Sequence, residues 1–100
     1  MAALRFSLRQ VEIFSAVARS GSTASAAEEV AISQSAVSAA LNDLEFALGV
    51  QLFDRIGKKL VLNAVGRSLL ARGASMLDSA RGIQMDFLSG RPCRHLRLAV

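Results

Sequence analysis

One hundred residues with a formal net charge of +4 and 52% hydrophobic side chains make one small domain, or a small domain with an arm. No apolar run reaches the roughly 18 residues of a membrane span, Met1–Leu8 is too short for a signal peptide, and the lone Cys93 excludes an internal disulfide and fits a reducing cytoplasm. Residues 1–54 hold three basic and six acidic side chains, whereas residues 55–100 hold nine basic and two acidic, a balance that suits a polyanion met mainly from one region.

Leu8, Val11, Phe14, Val17 and Ala18 recur at helical spacing, with Ser7 to cap the start and Gly21 to stop the helix. Ser22 or Thr23 caps a second, shorter helix whose buried face is Ala26, Ala27 and Val30. A short "AIS" turn follows, and Ser33 caps a third helix with the apolar stripe Val37, Leu41, Leu44 and Leu48, ended by Gly49. Two short helices joined by so tight a break suggest a helix-turn-helix. Gln34, Ser35, Ser38, Ala39 and Asn42 fall on the third helix's other side, where glutamine or asparagine suits adenine and an alanine methyl suits a thymine methyl. This helix contains no Arg or Lys. A base reader needs hydrogen-bonding groups, and charge can come from its flanks.

Leu52 and Phe53 close the core, and "LFDRIGKKLVLN" predicts a β-hairpin turning at Gly57 and Lys58. Its Arg55, Lys58 and Lys59, with Arg9 from the first helix and the amides at the Ser33 helix start, are the candidate phosphate contacts. Asp43 and Glu45 are expected to point away from any DNA backbone. Asn63 caps a long helix over about residues 64–88, and Val65, Leu69, Gly73, Met76, Ala80, Ile83 and Phe87 form its stripe. Such a helix is about 37 Å long and is expected to pair with the same helix of a second copy. Arg67, Arg72 and Arg81 are read as solvated. "SGRP" then breaks the helix, and "RHLRLAV" looks like the first strand of something further.

Other chemistries lack their parts. His95 is the only histidine and Cys93 the only thiol, so neither a metal site nor a nucleophile–base pair can be assembled within the chain. No Gly-rich phosphate loop matches the Walker pattern. The last helix is too sparsely basic, and too interrupted by acids, to lie on a membrane. The sequence points to no enzyme, metal or cofactor.

The stretches "LRQVEIFSAVARSGS", "AAEEVAISQSAVSAALNDLEFALGVQLFDR" and "GKKLVLNAVGRSLL" together resemble the DNA-binding domain of the LysR-type transcriptional regulators, over roughly residues 7–88 without a gap. The resemblance implies a mainly α winged helix-turn-helix over residues 1–63 and a linker helix over 64–88 that pairs two chains. Residues 89–100 would then be a hinge and the start of a C-terminal effector-binding domain. It implies double-stranded DNA as the partner, a partly palindromic site bound by a dimer, and a small-molecule effector acting only through that further domain. The chain departs from the family pattern at Ser35, where proline is common, and at Ala39, where Arg or Lys is frequent. Thr23 replaces a usual phenylalanine, and Asn63 replaces a capping threonine. The alternative reading is a helical module that dimerises through residues 64–88 and binds protein rather than DNA.

Overall fold

The computed structural model describes residues 3–90. In chain order it contains α1 (Leu8–Ser20), α2 (Thr23–Val30), α3 (Gln34–Leu48), β1 (Phe53–Ile56), β2 (Lys59–Leu62) and α4 (Ala64–Leu88). This is the winged helix-turn-helix with a long trailing helix that the sequence predicts.

Local chemistry sets each boundary. Ser7 and Gln10 form a reciprocal capping box, with Ser7 Oγ accepting from the Gln10 amide and Gln10 Oε1 accepting from the Ser7 amide. Ser22, Ser33 and Asn63 each accept from the backbone amide three residues on. Gly21 and Gly49 close α1 and α3 in the left-handed conformation. The turn between α2 and α3 uses Ala31 in that conformation, at φ 58°, the one positive-φ residue other than glycine among those described. Its amide, and that of Ile32, bond back to carbonyls in the last turns of α2, which makes the break tight.

The core is built around α1. Val11, Phe14, Ala16 and Val17 are fully buried, Ile13 and Ser15 nearly so, because α1 touches α2, α3, α4 and β2. The periodic stripe therefore understates this helix: Ile13 and Ala16 are core, and Leu8 is 43% exposed. Ala26 and Ala27 of α2 and Val37, Leu41 and Leu44 of α3 complete the packing with Leu52. The hairpin pairs antiparallel, with Phe53 opposite Leu62 and Ile56 opposite Lys59. It is pinned at its base by Phe53 packing on Phe14, ring centroids 5.5 Å apart, and by the Leu60 amide donating to the Gly21 carbonyl.

The long helix corrects one expectation. Gly73, placed by its spacing in a pairing stripe, is buried within its own chain, where a Cβ would stand 2.9 Å from Val11 Cγ1. Leu69 also packs partly on the chain's own core. At about 100° per residue, Gly66, Leu70, Gly73 and Leu77 share the side facing the domain, of which Gly66, Gly73 and Leu77 are buried. Val65, Met76, Ala80, Ile83 and Phe87 are centred about 85° away around the helix. Val65 is 46% exposed, and Ile83 and Phe87 are more than 60% exposed. Beside the first half of this outer stripe runs an open groove of about 680 Å³ lined by Phe6, Val50, Val65, Leu69 and Met76.

Candidate nucleic-acid interface

The third helix carries its apolar residues inward, with Val37 and Leu44 fully buried and Leu41 at 6% exposure. That leaves Gln34, Ser35, Ser38, Ala39 and Asn42 all exposed. The five candidate readers thus form one continuous surface of short, uncharged side chains. Ser35 and Ser33 are hydrogen-bonded through their hydroxyls at 3.2 Å, and Gln34 Nε2 donates to Thr23 Oγ1 at 2.9 Å.

Phe46 lies outside the set that the sequence pattern singles out. It is 89% exposed, more than any other large hydrophobic side chain among the described residues. It stands four positions beyond Asn42 and seven beyond Ala39, on the same outward face. The signal is present in the sequence as an aromatic residue directly opposite the buried stripe.

The wing supplies charge. Arg55, Lys58 and Lys59 are exposed, and no ion pair holds them among the described residues. Arg55 lines one open cleft of about 320 Å³ together with Ser38 and Asn42 of α3 and Thr23 of α2. One cation of the hairpin and two polar residues of α3 therefore border the same space, with the carboxylates of Glu45 and Asp54 also on its wall. Arg9 is placed differently: its guanidinium donates to the Val30 carbonyl at 3.3 Å and lies 3.5 Å from the Glu12 carboxylate. It is engaged with the end of α2, beside the turn that leads into α3.

Two acidic side chains of α2 and α3 are engaged in internal contacts. The Glu45 carboxylate accepts from the Leu52 amide at 2.8 Å, so it braces the entry to the wing, although it also lines the cleft shared with Ser38, Asn42 and Arg55. Arg67 donates to the Leu62 carbonyl at 3.1 Å and closes the hairpin from the other side. Glu29 is held by Arg19. Among the described residues no cluster of three His, Cys, Asp or Glu has metal-binding geometry, and no helix is long and apolar enough to cross a membrane. Cys93, His95 and the expected hinge beyond residue 90 lie outside the described residues.

Comparison with known proteins gives a consistent set of likenesses. A family model described as bacterial regulatory helix-turn-helix protein, lysR family, matches residues 8–67. The uncharacterized HTH-type transcriptional regulator YeiE of Escherichia coli is 54% identical over 84 residues, which is 84% of this chain and 29% of that protein. The RuBisCO operon transcriptional regulator of Allochromatium vinosum is 39% identical over 99 residues, 97% of this chain and 33% of that one. This chain thus spans about a third or less of the curated relatives it matches. Among solved structures, a mutant OxyR of Corynebacterium glutamicum superposes with a TM-score of 0.84 at 32% identity, over 91% of this chain and 29% of that chain. The CbnR DBD–DNA complex superposes with a TM-score of 0.75 at 30% identity, over 86% of this chain and 100% of that chain.

Proposed function

The chain belongs to the LysR family of bacterial regulatory helix-turn-helix proteins, and from that premise we propose that it is the DNA-binding part of a transcription regulator. One observation carries the reading: Ser38 and Asn42, of the polar α3 face, share one cleft with Arg55 of the wing, while Lys58 and Lys59 stand exposed at the wing's tip without an ion pair among the described residues. A protein-only docking module has no need of that division. DNA does, because base edges are read by hydrogen bonds and methyl contacts while cations hold the phosphates. The CbnR domain solved with DNA is matched over its whole length, which supports the same assignment.

In this reading α3 lies in the major groove. Gln34, Ser35, Ser38, Ala39 and Asn42 meet bases, and Phe46 extends the surface by one turn toward an apolar contact such as a thymine methyl. Arg55, Lys58, Lys59, the Ser33 helix start and the remaining N–H groups of Arg9 meet phosphates. The outer stripe of α4, with Val65, Met76, Ile83 and Phe87, pairs with a second copy, and the groove beside it receives part of that partner helix. The site is then a partly palindromic operator bound by a dimer in the bacterial cytoplasm. Control by a small-molecule effector would act through a further domain, since this chain covers 29% and 33% of those two relatives.

A fluorescence-anisotropy titration against duplex DNA from upstream of the protein's own gene, at two salt concentrations, tests the proposal. Tight binding that weakens steeply with salt and survives an excess of unrelated duplex is expected. Equal competition by unrelated duplex, or no binding at low salt, rejects it.

A further inference from the structure

Thr23 and Gln34 are the first residues of α2 and α3. Each follows a serine cap, Ser22 and Ser33, whose hydroxyl accepts a backbone amide at 3.0 Å and 3.1 Å. The backbones carrying the two side chains are therefore fixed relative to their helices. The helices are fixed to one another by Ala26 and Ala27 packing with Val37 and Leu41 in the core. Between these two anchored positions runs the 2.9 Å hydrogen bond from Gln34 Nε2 to Thr23 Oγ1.

We infer that Thr23 is a positioning residue for base readout, holding the Gln34 amide in the orientation that an adenine edge accepts. The inference rests on the reading that α3 enters the major groove. A glutamine amide has two N–H donors and one carbonyl acceptor. With one N–H given to Thr23, the other N–H and Oε1 remain, and they are the donor–acceptor pair that matches adenine N7 and N6. An unrestrained glutamine samples many rotamers and both faces of its amide, and ordering it on binding costs affinity. The threonine removes that disorder in the free protein.

The bond lies at the rim of the cleft that holds Ser38, Asn42 and Arg55, which Thr23 itself lines. Thr23 is half-buried and Gln34 exposed, so the amide is braced from the protein side and open on the other. Ser35, next in the chain, is tied back to Ser33. The first turn of α3 thus presents side chains that are already arranged.

The test uses duplexes recovered from a randomised-site selection on the wild-type chain, together with the variants Thr23→Val, Thr23→Ser and Gln34→Ala. Valine keeps the shape and removes the hydroxyl, and serine keeps the hydroxyl. Thr23→Val should lose about two- to tenfold in preference at the base pair that Gln34→Ala identifies, the size of one net hydrogen bond. Its melting temperature and its affinity for unrelated duplex should stay at wild-type values, and Thr23→Ser should retain the preference. The double variant Thr23→Val/Gln34→Ala should lose no more than Gln34→Ala alone, because the first change acts through the second. Discrimination kept in Thr23→Val but lost in Gln34→Ala overturns the inference and leaves the α3 reading standing. A uniform loss across all duplexes in Thr23→Val also overturns it, since Thr23 would then serve the backbone or the fold. No change of preference in Gln34→Ala rejects both.

Discussion

Gly66 brings the first turn of α4 so close to Leu52 that a Cβ at residue 66 would lie 2.2 Å from the Leu52 carbonyl oxygen. The Leu62 side chain closes the other side, at 2.7 Å from the same point. Asn63 ties this junction further: its amide donates to the Leu52 carbonyl at 3.1 Å, and its side chain reaches the Gln51 carbonyl at 2.9 Å. The long helix and the root of the wing are thus one joint. Gly66→Ala should be destabilising by about 1–3 kcal/mol, the usual range for overpacking, and larger if the wing has to shift. Urea denaturation measures it, and a midpoint equal to wild type would show that the joint is looser than its geometry.

The wing should supply affinity with little sequence choice. Lys58→Ala/Lys59→Ala should weaken binding to specific and unrelated duplexes alike. The slope of log affinity against log salt should flatten by about 0.9 for each phosphate that the variant no longer neutralises. Unchanged slope and affinity would remove the hairpin from the interface.

Base choice should lie on α3. Gln34→Ala should cost roughly 1–3 kcal/mol of discrimination at one base pair in each half-site, while binding to unrelated DNA survives. Ala39→Arg adds a cation to a face that has none and should raise affinity broadly, with new sites containing guanine. Identical preferences for both variants and the wild type in a randomised-site selection would move the reading surface elsewhere.

Pairing of two chains should depend on the outer half of α4. Ile83 and Phe87 are 62% and 61% exposed, so Ile83→Glu/Phe87→Glu leaves the domain's own core untouched. Sedimentation should show monomers with an unchanged melting transition of the domain. Leu69 is a poorer choice for this test, because it packs partly against its own chain and a charge there would disturb the fold as well. A double variant that sediments as a dimer would assign pairing to another surface.

Much of this architecture is legible in the sequence because its signals are local. Serine and asparagine caps, glycine stops and the Gly57–Lys58 turn each act within a few residues, and the helices and hairpin end where those residues predict. What the sequence hides depends on packing from several sides. Ile13 and Ala16 fall off the periodic stripe of α1, yet they are buried because other elements surround that helix. On α4 the large side chains from Val65 to Phe87 mark the outer face. The side that packs on the domain alternates Gly66 and Gly73 with Leu70 and Leu77, and the two glycines weaken its hydrophobic signal. The candidate readers are recoverable by subtraction, as the residues opposite Val37, Leu41 and Leu44. The bond between Gln34 and Thr23 is not, since it depends on the angle between two helices. Arg9 is expected at a phosphate, and its engagement with Val30 follows from the path of the turn, which no residue pattern encodes.

The buried positions of α4 stop at Leu77, and this divides one continuous helix into two units of different stability. Amides up to Leu77 share the fate of the core and should exchange with deuterium only when the whole domain opens. Those from Asp78 to Leu88 have no such cover among the described residues, so they should exchange through fraying of the helix's last turns. A second copy laid along the outer stripe would slow that exchange, and the slowing would grow with protein concentration. Hydrogen exchange along a single helix would then read folding in its first half and assembly in its second.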